Sequence, residues 1–181
     1  EPSNSQEAKD MLVDAFDLSE TYDSVVMVRM TTRVCHSKSL VELGERHAVE
    51  PRPYEPDLAK YVSVPANGRQ RRHAVEARMN RLQDYTETSK WNHVVDNGAK
   101  IGVIASGMSY EFAWEALGET VDYLKLGFTN PLPKQMIADF CDKHDTVYVI
   151  EENDPYIEEF AMTLGKRVIG SELFPYTGEM T

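Results

Sequence analysis

From about residue 100 onward the sequence alternates between short apolar runs and amphipathic stretches, and few architectures tolerate that rhythm. Lys100-Ile101-Gly102-Val103-Ile104-Ala105 reads as a strand, 110–117 as a helix, 123–126 as a strand and 133–143 as a helix. A strand over 146–151, a helix over 155–164 and a short final strand over 167–170 follow. Strands joined through helices imply right-handed crossovers and a mainly parallel sheet covered on both faces. The expected class is therefore α/β, with a complete three-layer domain over 98–181.

The preceding hundred residues have a different texture. Ser3 and Ser5 are good N-cap types, and Ala8, Met11, Leu12, Ala15, Phe16 and Ser19 recur at helical spacing, which predicts a helix over 6–21. Val25-Val26-Met27-Val28-Arg29-Met30-Thr31 is continuous and β-branched, as in a strand buried on both faces. Pro51, Pro53, Pro56 and Pro65 then punctuate a linker. Beyond it, Val75, Met79, Leu82 and Tyr85 form one stripe of a long helix over 66–88, whose other faces carry Arg69, Arg71, Arg72, Arg78 and Arg81. The expected division is 1–43, a partial domain; 44–97, a linker with the basic helix; and 98–181, the sheet domain.

Charge narrows the function classes. The 181 residues carry a formal charge of −11, distributed as −5 over 1–66, +3 over 67–100 and −9 over 101–181. Such a surface repels a phosphate backbone, and the arginine-rich helix lacks interleaved aromatics for base stacking, so nucleic acid is not an expected partner. No run of eighteen apolar residues exists to span a membrane. Cys35 and Cys141 are far apart and form no Cys-x-x-Cys spacing, so neither a disulfide framework nor a zinc or iron-sulfur site is expected; a cytoplasmic setting is. The abrupt opening on Glu1-Pro2-Ser3-Asn4-Ser5 reads as a piece cut from something longer.

Four clusters could carry chemistry. Ser106-Gly107-Met108-Ser109 lies where a strand meets a helix and could receive an anion, yet it lacks the full phosphate-loop pattern, and a tight turn alone explains its glycine. Glu151-Glu152-Asn153-Asp154 could hold magnesium or exchange protons, although Asn153 or Asp154 before Pro155 is equally a helix cap. Arg69 to Arg81 could grip phosphate or an acidic partner, or pack across acidic parts of its own chain. Thr31-Thr32-Arg33-Val34-Cys35-His36-Ser37 is the richest polar cluster, with Arg33 as an anion partner and His36 as a proton carrier; its alternative is a set of hydrogen bonds tying a strand end to the linker.

Six segments in order resemble one family, the large (alpha) subunit of indolepyruvate ferredoxin oxidoreductase. They begin with Glu1 to Asp10 and Arg29-Met30-Thr31-Thr32-Arg33-Val34-Cys35-His36-Ser37-Lys38-Ser39. Next come Lys100 to Tyr110, Leu126-Gly127-Phe128 through Pro131-Leu132-Pro133, Val149 to Glu159, and Ile169-Gly170-Ser171-Glu172-Leu173-Phe174-Pro175. The resemblance implies the end of a thiamine-pyrimidine domain over 1–43 and a transketolase C-terminal-like domain over 98–181.

It also implies a parent enzyme that decarboxylates an aryl pyruvate oxidatively, using thiamine diphosphate, Mg and 4Fe-4S clusters, with a beta subunit, ferredoxin and coenzyme A as partners. The parts that would hold those groups are expected outside this stretch, so the piece is expected to be structural, to hold no cofactor or metal, and to be inactive alone. Arg33 and His36 are the residues expected to come nearest the active site. Cys35 stands where the family pattern suggests a small residue such as Ser, so it gains no redox role. Homo-oligomer contacts are expected from an unpaired sheet edge and an apolar helix face. Another 2-oxoacid ferredoxin oxidoreductase, and a stand-alone α/β ligand-binding module, are the alternatives.

Overall fold

A computed structural model describes residues 1–46, 48–51, 53–174 and 176–180. Pro175, which closes the last resembling segment, and Thr181, which closes the expected sheet domain, lie outside the described residues, as do His47 and Arg52.

The alternating rhythm produces a four-stranded sheet of β1 (Asn92–Val95), β2 (Ile101–Ser106), β3 (Asp122–Leu126) and β4 (Thr146–Ile150), ordered β1-β3-β2-β4. β2 runs parallel to both β3 and β4, with Ile104 opposite Leu124 and Val149, and β1 adds an antiparallel edge. Adjacent residues of β2 serve opposite layers, as the period of two requires. Val103 and Ala105 join Ala113, Val121 and Tyr123 beneath α5 (Gly107–Leu117). On the other face Ile104 joins Leu124, Leu126, Ile137, Phe140 and Ile157 beneath α6 (Lys134–Lys143) and α7 (Tyr156–Thr163). These side chains are almost wholly inaccessible to water, and truncating one such as Ile104 to alanine would cost about 2–5 kcal/mol.

Helix α1 (Ser5–Tyr22) forms where the spacing predicts, but Asn4 rather than Ser3 or Ser5 is its N-cap, accepting from the Glu7 N–H at 3.0 Å. Of the expected stripe only Met11 is buried; Leu12 and Phe16 are exposed. The long basic helix is α4 (Pro65–Thr86), with Leu82 buried and Val75, Met79 and Tyr85 half-buried along the expected stripe. Three of its arginines are used internally: Arg71 and Arg78 face Asp23, the left-handed residue ending α1, and Arg81 lies 5.9 Å from the Tyr22 ring centroid.

Three expectations need correction. The run 25–31 is extended but is not a strand. Apart from the Thr31 carbonyl, which accepts from the Cys35 N–H at 3.1 Å, it finds no backbone partner among the described residues, and Val25 and Met27 are 94% and 84% exposed while Val26 and Val28 turn toward α1 and α4. A β-branched run supplies strand propensity, but a sheet needs a neighbouring edge as well. Second, β1 comes from within the 44–97 stretch read as linker; its four residues are too short to show a period. Third, the final strand over 167–170 reduces to a single parallel bridge between Tyr148 and Ile169. Within the proline-rich stretch, one turn of helix forms at α3 (Leu58–Tyr61).

Candidate functional site

The connection leaving β2 passes to α5 on one face of the sheet, while that leaving neighbouring β4 passes to α7 on the other. A crevice must open between two such connections at the carboxyl edge, the position where open α/β sheets receive ligands. Here it is a groove of about 1090 Å³ that brings together three of the four clusters singled out in the sequence: Ser106 to Ser109, Glu151 to Asp154, and Thr31 to Arg33.

The third cluster does not sit at the end of a strand. Residues Thr32–His36 form a short helix, α2, whose N-cap Thr31 faces the Val34 N–H at 3.5 Å, and buried Val34 pins it down. Helical geometry separates the two candidates. Arg33 lines the groove, with its guanidinium 5.6 Å from the Phe112 ring centroid and 3.0 Å from the Glu179 carboxylate. His36 is exposed and outside the groove lining, and Cys35 beside it is exposed too.

The turn at Ser106 to Ser109 is already engaged. Gly107 has φ +51°, a left-handed conformation that a side chain would strain, and any Cβ would point at Glu1 and Pro2. Ser106 Oγ donates to a Glu1 carboxylate oxygen at 3.3 Å, Thr129 Oγ1 donates to the other at 3.3 Å, and the Arg29 guanidinium approaches at 2.7 Å. The anion beside the start of α5 is thus the chain's own carboxylate. No pattern in the sequence signals the Arg29–Glu1 pair, because its members are 28 positions apart and each looks like a surface charge.

Glu151 acts as a helix cap, in place of the expected Asn153 or Asp154. Its carboxylate accepts from the N–H groups of Ile157 at 2.9 Å and Glu158 at 3.0 Å, satisfying the free end of α7. Burial pushes its carboxyl above the usual glutamate range, although those two backbone donors pull the other way. The groove as a whole carries Glu1, Glu151, Glu152, Asp154 and Glu179 against Arg29 and Arg33, an acidic balance that disfavours a diphosphate. Among the described residues no three His, Cys, Asp or Glu side chains are grouped to hold a metal. Cys35 is exposed, and Cys141, half-buried on α6, has its thiol pushed up to about 11 by that burial.

Comparison with known proteins supplies the remaining context. No protein-family model matches the chain. Subunit IorA of indolepyruvate oxidoreductase from Methanothermobacter marburgensis is 38% identical over 88% of this chain and 27% of its own length. Its counterparts from Pyrococcus horikoshii and Thermococcus kodakarensis are 33% identical over all of this chain and 31% of theirs. A solved 2-oxoglutarate:ferredoxin oxidoreductase from Magnetococcus marinus aligns over 60% of this chain and 20% of its own, with 18% identity and a TM-score of 0.40. The chain spans less than a third of the curated relatives it matches. With that share of their length accounted for over nearly all of its own, the chain belongs to the indolepyruvate oxidoreductase subunit IorA family.

Proposed function

We propose that this chain is an architectural portion of the alpha subunit of a thiamine-diphosphate-dependent 2-oxoacid ferredoxin oxidoreductase. The parent acts on indolepyruvate or a related aryl pyruvate to give the aryl-acetyl-CoA, CO2 and reduced ferredoxin. The observation that carries the reading is 38% identity to a curated relative over 88% of the chain. In that parent, 1–43 closes the pyrimidine-binding domain, 44–97 links, and 98–181 forms the transketolase C-terminal-like domain. The parallel sheet with helices on both faces supports the last assignment.

Thiamine diphosphate, Mg and the 4Fe-4S clusters belong to other parts of the parent; for the diphosphate, the acidic balance of the groove described above supports that placement. The chain's work is to keep neighbouring domains aligned while the cofactor supplies the chemistry. It does so beside a beta subunit, with ferredoxin and coenzyme A as the parent's partners and a second copy as a homo-oligomeric neighbour. The setting is cytoplasmic; no described helix is long and apolar enough to cross a membrane. Arg33 and His36 are the residues with chemistry to offer an active site. The groove favours Arg33, since His36 stands outside it.

Two measurements test this. The native protein carrying this segment, captured with an antibody against 98–181, is expected to be roughly three times longer than this chain and to carry iron-sulfur chromophores. A colourless native chain ending near Thr181 would sink the enzyme reading. In the intact enzyme Arg33→Ala is expected to lower turnover without changing cluster content, and His36→Ala to lower it less; unchanged kinetics for both would remove them from the site.

A further inference from the structure

Arg29 and Arg33 both face the groove, and a carboxylate of the same chain sits on each, but the two pairs are built differently. Glu1 is held by Arg29 and by the hydroxyls of Ser106 and Thr129, and its side chain is only 18% exposed although that of Arg29 is 69% exposed. Glu179 is held by Arg33 alone, and the two side chains are 57% and 44% exposed. In the first pair the carboxylate is a fixture of the groove wall. The second is a solvated contact of the kind that contributes only a small fraction of a fold's stability and opens readily.

Glu179 lies on residues 176–180, which pass over the groove between α2 and the loop after β4. One side is fastened by Arg33, the other by the Met180 N–H, which donates to a Glu152 carboxylate oxygen at 3.1 Å. Between these neighbours the backbone bends at Gly178, where φ is +96° and no atom would contact a Cβ, so the bend calls for glycine for backbone reasons alone. Arg33 lies over the Phe112 ring, which leaves the planar edge of the guanidinium, its two parallel donors, for a carboxylate. Met30, Met108 and Tyr156 supply less polar groove wall nearby, while Glu1, Glu151, Glu152 and Asp154 repel a multiply charged anion.

We propose that residues 176–180 form a strap across the groove in which the Glu179 carboxylate occupies, on Arg33, the place of an external organic monocarboxylate, so that strap and ligand exclude each other. The proposal deepens the reading of Arg33 given above and rests on it.

Phenylacetate titrated into the 181-residue chain, followed by the NMR resonances of the Arg33 side chain and the Met180 amide, tests it directly. Binding is expected to shift both, because the strap must leave as the ligand enters. Glu179→Gln removes the competing charge and is expected to tighten binding about two- to fivefold, the factor that an exposed ion pair is worth. Gly178→Ala strains the bend without touching either charge and is expected to act in the same direction. Arg33→Gln is expected to abolish the response, with the amide spectrum confirming that the fold persists. Equal affinity in the wild type, Glu179→Gln and Gly178→Ala would overturn the strap, as would binding that survives Arg33→Gln or phenylacetate that shifts neither resonance. The parent enzyme separates the two readings: Arg33→Ala lowering turnover while phenylacetate leaves the chain untouched would overturn the strap and spare the proposed function.

Discussion

Lys125 in β3 donates through Nζ to the hydroxyl of Ser3 at 2.9 Å, joining the strand to a residue 122 positions earlier. The same ammonium pairs with the Glu7 carboxylate and lies 4.4 Å from the Tyr110 ring centroid. Ser3 in turn donates its backbone N–H to Glu7 at 2.9 Å and its hydroxyl to Glu111 at 2.6 Å. A lysine 5% exposed, on the face of the sheet beneath α5, is tolerable only because it is surrounded in this way. α1 is therefore docked on the sheet by a buried ionic network as well as by Met11.

Removing the ammonium should release the first helix. Lys125→Ala is expected to destabilise the fold by about 3 kcal/mol, the low end for breaking a buried pair, because Glu7 keeps some contact with water. Urea unfolding measures the loss. Amide exchange should show it concentrated in α1, and a variant with unchanged α1 protection would refute the docking role.

The same network predicts an acid response with a definite sign. Burial alone would raise the Glu7 carboxyl, but the hydrogen bonds from Lys125 and Ser3 outweigh it and hold the group below the ordinary glutamate range. An acid with a lowered native pKa contributes stability that is full above its unfolded value and is lost as pH falls through the native one. α1 should thus loosen below about pH 4. Fluorescence of Trp91, whose indole N–H donates to Asp14 of α1 at 3.0 Å, reports it. The transition should shrink in Lys125→Met, where the linkage is gone.

How much of this was legible in the sequence depends on how far apart the interacting residues lie. The order β2 to α7 follows from period and length alone, because each element's apolar pattern is local: Val103 and Ala105 against Ile104, or Ile137 and Phe140 along α6. The extended run at 25–31 looked like a strand because propensity is local too, whereas pairing is not. β1 escaped notice because His93 and Val94 face outward and four residues show no period. Of the candidate groups, Arg33 was visible through its polar neighbours. Glu1, Arg29 and Glu179 were not, since their roles arise only when the chain folds back on the sheet edge.

Asp122 anchors the opposite edge of the sheet. One of its carboxylate oxygens accepts from the N–H groups of Asn97 and Ala99, both at 2.9 Å; the other faces His144 Nε2 at 2.9 Å and Lys143 Nζ at 3.0 Å. Although burial opposes it, this set of donors holds the carboxyl well below the usual aspartate range, so its contribution disappears only in strong acid. Asp122→Ala leaves those donors unmatched and should cost about 3–5 kcal/mol. Asp122→Asn keeps an oxygen for the two backbone groups but turns an amide toward His144 and Lys143. Exchange protection at Asn97 and Ala99 should therefore survive in the asparagine variant and vanish in the alanine one. Equal loss in both would mean that the turn before β2 is held by something else.

Glu151 offers the opposite linkage at the groove. Its carboxyl is raised, chiefly by burial, so keeping it ionised costs stability even though both oxygens accept from the start of α7. For an acid with a raised native pKa, stability is greatest below the unfolded value and declines as pH climbs through the native one. Glu151→Gln retains an acceptor for Ile157 or Glu158 and removes the ionisation, so at pH 7 it should be near neutral and should flatten the pH dependence of unfolding above pH 4. Glu151→Ala loses the cap altogether and should cost about 1 kcal/mol, with exchange quickening at the Ile157 and Glu158 amides. A glutamine variant as unstable as the alanine one would show that the charge itself stabilises the helix end, and that the groove wall there depends on ionised Glu151 rather than on a hydrogen-bond acceptor.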